Sequence, residues 1–240
     1  MRKTIVIAGA GPMLGMSVAR AFGAHGYAVA LIARRREPLE AMAGGLRAAG
    51  IDAAGFAADL RDAAQLADAF ADIRARFGTI DVLEFSPFAM AFVPPSQVTA
   101  ALAREAFEFL TVAAINAVRE VLPAMLERGQ GALLFASGRS ALLPMKLLGS
   151  LGLATAAQRH YIYSLHEELQ GTGIQVGSVP IFARMDRDTA DRVAGVFLEM
   201  LYGRVGVEVI VGAGDAADAA REIAAITAAH APFELPKAAA

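Results

Sequence analysis

The sequence predicts an α/β protein in which a doubly wound parallel sheet of about seven strands carries helices on both faces. Short apolar runs alternate with stretches of helical periodicity along the chain, and this alternation is typical of strand–helix–strand crossovers. The runs are apolar at most positions, as expected of strands that are covered on both faces. A glycine-rich turn separates the first run from the first helical stretch.

Six apolar runs are the predicted strands of this sheet. They cover residues 4–7, 27–32, 51–57, 81–85, 131–136 and 174–179. The spacing of apolar residues predicts helices between them, and Asp62 and Gly78 are expected to begin and end the third helix. A last strand has two candidates, residues 207–211 and residues 233–235.

Length and composition favour one domain over residues 1–240, since no linker or repeat interrupts the chain. Hydrophobic residues make up 56% of the sequence, enough for a large core. A net charge of -2 argues against nucleic acid as a partner, and the absence of cysteine excludes disulfides and thiolate sites. We expect no membrane contact and a cytoplasmic protein, because no signal peptide or apolar run of spanning length is recognisable.

The turn at residues 9–15 has the glycine spacing of a phosphate-binding loop. Gly9 allows a tight turn, Gly11 allows close approach to a pyrophosphate, and Gly15 allows the helix to pack closely on the strand. The free amides at the start of the helix, where Met13 and Leu14 stand, would face the phosphates. The alternative is a tight strand-to-helix turn that binds no ligand.

Arginines follow the second predicted strand, where folds of this kind contact the adenosine ribose. Arg34 and Arg35 stand at this point, and no acid precedes Glu37. A guanidinium suits the 2'-phosphate of NADP(H), whereas an acid would favour the free hydroxyl of NAD(H). The position therefore favours NADP(H) over NAD(H). The alternative is a solvated basic loop.

From residue 4 to about residue 180 the chain resembles the short-chain dehydrogenase/reductase (SDR) superfamily. The resemblance is carried by residues 9–15, 33–35, 59–60, 80–83, 121–126 and 164–169. It implies a single-domain Rossmann fold, with a cofactor half at about 1–130 and a substrate half at about 131–240. It places Asp59 and Leu60 near the adenine, and Ser86 and Pro180 at strand ends that line the cofactor site. Met13 stands where the family has its middle glycine.

The catalytic half departs from the family pattern of a Ser and a Tyr-x-x-x-Lys pair. None of the four tyrosines has a lysine four residues later. The matching positions hold Gly138, Leu151 and Thr155, and Leu110 stands where many members carry an Asn. Because neither Leu nor Thr can replace a Tyr–Lys proton relay, we predict that the family's usual carbonyl reduction is absent.

Three residues are candidate replacements at the ends of the strands. Arg139 could stabilise an oxyanion, Lys146 could carry a lowered pKa in its apolar loop, and Ser137 lies one residue before the usual serine position. A surface arginine and a lysine that extends into water are the alternatives. The histidines show no spacing for a metal site, so we expect no metal.

Three functions fit these observations. The first is an NADP(H)-binding oxidoreductase that acts on a small or hydrophobic carbonyl or hydroxyl metabolite. The others are a non-redox enzyme on the same scaffold (a cyclase, isomerase or lyase) and a non-catalytic nucleotide-binding subunit. We also expect a homodimer or homotetramer, paired through the long predicted helices at residues 98–128 and 151–170. The helix after residues 184–188 could line a hydrophobic substrate pocket or could simply pack on the core.

Overall fold

The computed structural model describes residues 2–88 and 92–212. Its centre is a sheet of parallel strands: β1 Thr4–Ala8, β2 Ala28–Ala33, β3 Ala53–Ala57, β4 Val82–Phe85, β5 Gly131–Gly138 and β6 Ile174–Ile181. The strands lie in the order β3-β2-β1-β4-β5-β6. The predicted fold class is therefore confirmed, and the strand order reverses between β1 and β4.

Helices cover both faces of the sheet. They are α1 Leu14–Ala24, α2 Arg36–Ala48, α3 Ala63–Phe77, α4 Ala100–Phe107, α5 Ala113–Arg128, α6 Gly149–Glu168 and α7 Arg187–Leu201. Apolar residues of α1, α2 and α7 form one core cluster with the sheet, and those of α3, α5 and α6 form a second cluster on the other face. Burial on both faces explains why the strands are apolar at nearly every position.

The caps of α3 have the predicted chemistry. The Asp62 carboxylate accepts hydrogen bonds from the amides of Ala64 and Gln65, at 3.0 and 3.1 Å. Gly78 ends the helix with φ of 81°, a conformation that favours glycine. Asp186 caps α7 in the same way as Asp62, because its carboxylate accepts from the Thr189 amide at 2.9 Å.

The long predicted helix at residues 98–128 is interrupted. A π-helical turn at Glu108–Val112 separates α4 from α5, whereas Pro123 lies inside α5. The interruption therefore precedes Pro123, and the helix continues regularly through that proline. A π turn inserts one residue into the helix and commonly marks a functional site, and this one lies at Leu110.

The described part of the sheet has six regular strands, where about seven are predicted. Residues 207–211 nevertheless run parallel to β6 through isolated bridges. The Ser178 amide donates to the Val207 carbonyl at 2.7 Å, and the Val211 amide donates to the Pro180 carbonyl at 3.1 Å. The other candidate strand, residues 233–235, lies outside the described residues.

One helical stretch is long and apolar enough to cross a membrane by length and composition. It covers Ala100–Arg128, and 44% of its most apolar window is buried inside the protein. The expectation that no segment has spanning length is wrong by this measure. Val118 and Val121 of the stretch pack in the core against the sheet, and the core helix of a soluble protein passes the same test.

Candidate active site

The predicted cofactor residues meet at one edge of the sheet. All strands are parallel, so the residues that follow their carboxyl ends lie along the same edge. Directly after β1, β2, β4 and β6 stand Gly9, Arg34, Ser86 and Phe182. Asp59 follows two residues after β3, and Gly138 is the last residue of β5. The reversal of strand order between β1 and β4 opens a crevice at this edge, which is where ligands bind in open α/β sheets.

The glycine turn has the geometry expected at each glycine. Gly9 has φ of 96°, and a Cβ on it would stand 2.6 Å from Cα of Pro87, in the turn after β4. A Cβ on Gly15 would lie 3.1 Å from Cα of Ala10. A Cβ on Gly11 would meet no described atom within 4 Å, so space is open above this residue.

Helix α1 begins at this turn without a capping side chain. Met13 is the N-cap residue and makes no side-chain hydrogen bond there. The amides of the first helical turn, including those of Leu14 and Gly15, have no acceptor within the helix. Uncapped amides at a helix N-terminus are suited to an anion, so the start of α1 and the open space over Gly11 together fit a pyrophosphate.

The ribose and adenine side of the crevice carries charged residues. Arg34 and Arg35 are exposed where β2 ends. Asp59, expected near the adenine, is bound to Arg61, whose Nη2 donates to the carboxylate at 2.6 Å. Hydrogen bonds from the Arg61 side chain, and more weakly the charge of Arg34, lower the pKa of Asp59. Leu60 is buried in the core cluster beside β3.

Ser140 lies close to two of the three positions that the resemblance matches with the Ser, Tyr and Lys of the family. Leu151 and Thr155 are buried on α6, and Gly138 is exposed at the end of β5. Thr155 Oγ1 donates to the Leu151 carbonyl at 2.8 Å and lies 3.1 Å from the hydroxyl of Ser140. Because Thr155 uses its only proton on the carbonyl, Ser140 is the donor in the hydroxyl pair. Sequence analysis did not identify Ser140.

Hydrogen bonds attach α6 to the π turn. The Gln158 amide donates to the Leu110 carbonyl at 2.9 Å, and Thr111 Oγ1 donates to the Ala154 carbonyl at 3.0 Å. A π turn leaves carbonyls without a regular helical partner. The buried Gln158 side chain satisfies one of them, and this arrangement fixes the wall of the site behind Leu151.

The three candidate catalytic residues differ in their surroundings. Arg139 is half-buried, and its guanidinium carbon lies 4.8 Å from the centre of the Phe182 ring. Lys146 is exposed on the loop between β5 and α6. The Ser137 hydroxyl is buried and has no hydrogen-bond partner among the described residues. Arg139 and Ser137 thus lie at the sheet edge, while Lys146 extends into solvent.

Two further groups lie near this half of the protein. Arg159 of α6 donates to the Glu208 carboxylate at 2.7 and 2.9 Å and stacks on Tyr163, with its guanidinium carbon 4.5 Å from the ring centre. Hydrogen bonding to Glu208 raises the pKa of Arg159. This pair joins α6 to residues 207–211. Its two residues are 49 positions apart in the sequence, so the local periodicity of the sequence does not predict their contact.

Glu84 is the second group, and sequence analysis missed it as well. It lies in β4 between Ile7 and Leu134, with no exposed surface. In the described part of the chain, neither of its carboxyl oxygens has a partner at the distance and angle of a hydrogen bond. Burial raises the pKa of Glu84 to about 8, and the nearby Ser86 hydroxyl acts in the opposite direction. The side chain is therefore neutral at pH 7.

A surface cavity lies away from these residues. It has a volume of about 620 Å³ and lies along the edge strand β3, between α2 and α3. Its lining includes Phe56, Gln65, Asp72 and Arg76 and none of the candidate catalytic residues. No group of three metal-ligating side chains occurs in residues 2–88 and 92–212.

Comparisons with known proteins agree with this geometry. The profile of the short chain dehydrogenase family matches residues 3–182. A short chain dehydrogenase of Pseudocercospora fijiensis is 28% identical over 176 residues, which cover 72% of this chain and 56% of that protein. The chain thus spans little more than half the length of this relative.

Two solved structures share the fold. LigD of Sphingobium, in its apo form, superposes with a TM-score of 0.81 at 20% identity, covering 96% of this chain and 98% of LigD. A metagenomic short-chain oxidoreductase in complex with NADP superposes with a TM-score of 0.78 at 24% identity, covering 87% and 96% of the two chains. At such identities the likeness concerns the fold.

Proposed function

The chain belongs to the short chain dehydrogenase family, and on this premise we propose that it is a nicotinamide-dependent oxidoreductase that prefers NADP(H) to NAD(H). Its substrate is a small or hydrophobic carbonyl or hydroxyl compound. The observation that carries the proposal is the start of α1, where uncapped amides and the open space over Gly11 fit a pyrophosphate. The fold neighbour that binds NADP supports the same cofactor class.

The residues that would hold the cofactor follow the crevice from end to end. They are Gly9, Gly11, Met13, Leu14 and Gly15 for the phosphates, Arg34 and Arg35 for the 2'-phosphate, Asp59 and Leu60 for the adenine, and Ser86 and Pro180 toward the nicotinamide. Asp59 keeps Arg61 as its partner in this arrangement, and the pair holds the loop after β3 in place beside the adenine site.

The preference for NADP(H) is tested by Arg34→Ala. Loss of a charge-assisted phosphate contact weakens binding by about 1.5 to 3 kcal/mol. Calorimetry should show this loss for NADPH and little change for NADH, and Arg119→Ala, an exposed arginine of α5, is the matched control. Equal losses for the two cofactors would mean that Arg34 does not contact the 2'-phosphate.

When bound, a nicotinamide supplies two-electron reduction or oxidation at a substrate carbon. The protein contributes orientation and charge. Arg139, held against Phe182, stabilises negative charge on a substrate oxygen. Ser137 offers an unused hydroxyl at the end of β5, and Ser140 offers an acceptor oxygen because its proton goes to Thr155.

The proton relay of this enzyme differs from that of the family. Leu151 cannot donate a proton, and the Thr155 hydroxyl is committed to the backbone of α6. General acid catalysis of a simple ketone is therefore lost, which lowers the rate by a factor of about 100 to 10,000. Lys146, which is exposed on the loop between β5 and α6, remains the candidate for proton delivery from solvent.

A non-redox enzyme on the same scaffold is the second candidate, favoured by the apolar side chain of Leu151 where a proton donor would stand. The decisive experiment is to ask whether the purified protein binds NADPH and whether that cofactor is oxidised during turnover. Bound cofactor that never changes its redox state would favour the second candidate. Failure to bind either nicotinamide cofactor would contradict the first candidate and favour a non-catalytic subunit.

A further inference from the structure

One stretch on the substrate side of the site lacks acidic residues. Residues 128–166, which run from the end of α5 through β5 and most of α6, contain no Asp or Glu. They contain four cations, of which two are engaged. Arg128 donates to the Ile80 carbonyl at 2.8 Å, and Arg159 is paired with Glu208. Arg139 and Lys146 are left without an anionic partner in this stretch.

Arg139 is the more constrained of these two cations. Its side chain is half-buried and stacked on Phe182. Across residues 2–88 and 92–212 its guanidinium makes no hydrogen bond and no ion pair, whereas Arg61 and Arg159 each hold a carboxylate at 2.6 to 2.7 Å. A half-buried guanidinium whose donors are not committed to any protein group is available to bind an anion.

Arg139 lies at the same edge of the sheet as the ligand crevice. Gly138, the preceding residue, is the last of β5, and Phe182 follows directly after β6. The stacked pair therefore bridges the carboxyl ends of these two strands. The phosphates of a cofactor would lie at the start of α1, beside β1, and β4 separates β1 from β5 in the sheet. The anion beside Arg139 is thus expected to come from the substrate.

We propose that Arg139 binds a carboxylate of the substrate, so that this enzyme acts on carbonyl or hydroxyl compounds that carry a carboxylate. The inference rests on the proposed oxidoreductase function and names its substrate class. A planar guanidinium offers two parallel donors that match the two oxygens of a carboxylate.

The test measures binding of small carboxylates to the protein saturated with NADPH. The probes are benzoate, salicylate and 2-oxobutanoate, each compared with its neutral amide by calorimetric titration. At least one carboxylate should bind about tenfold more tightly than its amide, and Arg139→Gln should remove that difference. Arg139→Lys should restore part of it, because the charge returns without the planar fork. Arg119→Gln is the matched control and should behave as the wild type.

Three results would overturn the inference. The first is equal affinity for acid and amide, or no carboxylate binding at up to about 50 mM. The second is carboxylate binding that survives in Arg139→Gln. The third is a tenfold loss of NADPH affinity in Arg139→Gln, about 1.4 kcal/mol, which would assign the guanidinium to the cofactor. If the wild type binds no NADPH, the proposed function fails separately, and the same titrations on the free protein still decide whether Arg139 binds carboxylates.

Discussion

Replacing the buried acid Glu84 with glutamine should stabilise the protein in a way that depends on pH. Glu84 is enclosed between Ile7 and Leu134 in the middle of the sheet. Among the described residues, neither of its carboxyl oxygens has a partner at hydrogen-bond distance and angle. Burial raises its pKa from 4.5 to about 8. Glutamine has the same shape and stays neutral at every pH, so Glu84→Gln removes the titration and little else.

The sign and size of the effect follow from proton linkage. Between pH 4.5 and pH 8 the folded state holds a proton on Glu84 that the unfolded state has released. The free energy of unfolding therefore falls as pH rises through this window, by about 1.4 kcal/mol for each unit of pH. At pH 7 the wild type should be less stable than Glu84→Gln by about 3 kcal/mol, and near pH 4.5 the two should be alike.

Urea denaturation followed by circular dichroism at several pH values between 5 and 8.5 measures this difference. The gap in free energy between the two proteins should widen steadily with pH and level off above pH 8. The matched control is Glu167→Gln, an exposed glutamate near the end of α6, which removes the same charge and should leave the pH profile unchanged. Parallel profiles for the wild type and Glu84→Gln would show that Glu84 is ionised in the folded protein and refute the reasoning.

Three further predictions concern stability, catalysis and assembly. Arg159→Met should lower the free energy of unfolding by about 1 to 2 kcal/mol, because Glu208 is largely buried and would lose its partner. Arg187→Met breaks an exposed pair and should change the free energy of unfolding little. Urea titration measures both. Simple ketones should be reduced with NADPH at a rate at least about 100-fold below the ordinary rate of about 10 per second. The double variant Leu151→Tyr with Thr155→Lys should raise that rate. An ordinary rate in the wild type would contradict the proposal that the Tyr–Lys proton relay is missing. Light scattering should give the mass of an isologous dimer or tetramer paired through α4–α5 and α6, and the mass of one chain at micromolar concentration would contradict it.

The sequence by itself determined the class of fold and the glycine turn that precedes α1. Both depend on local constraints. Apolar periodicity selects strand or helix within a few residues, and a positive φ at Gly9 or a carboxylate cap at Asp62 requires a residue type at one position. Such constraints act between neighbours along the chain. They predicted the order of strands and helices and the place where the helix α1 begins.

Only the tertiary structure decided which polar side chains are buried and which of them meet. Glu84 stands in a run that is correctly predicted as a strand, but its burial depends on helices from distant parts of the chain. Ser140 meets Thr155 across 15 positions, and Arg159 meets Glu208 across 49. The free energy of a charged or polar group depends on the solvent and partners around it, and these are set by packing between elements, which the local pattern of residues does not encode.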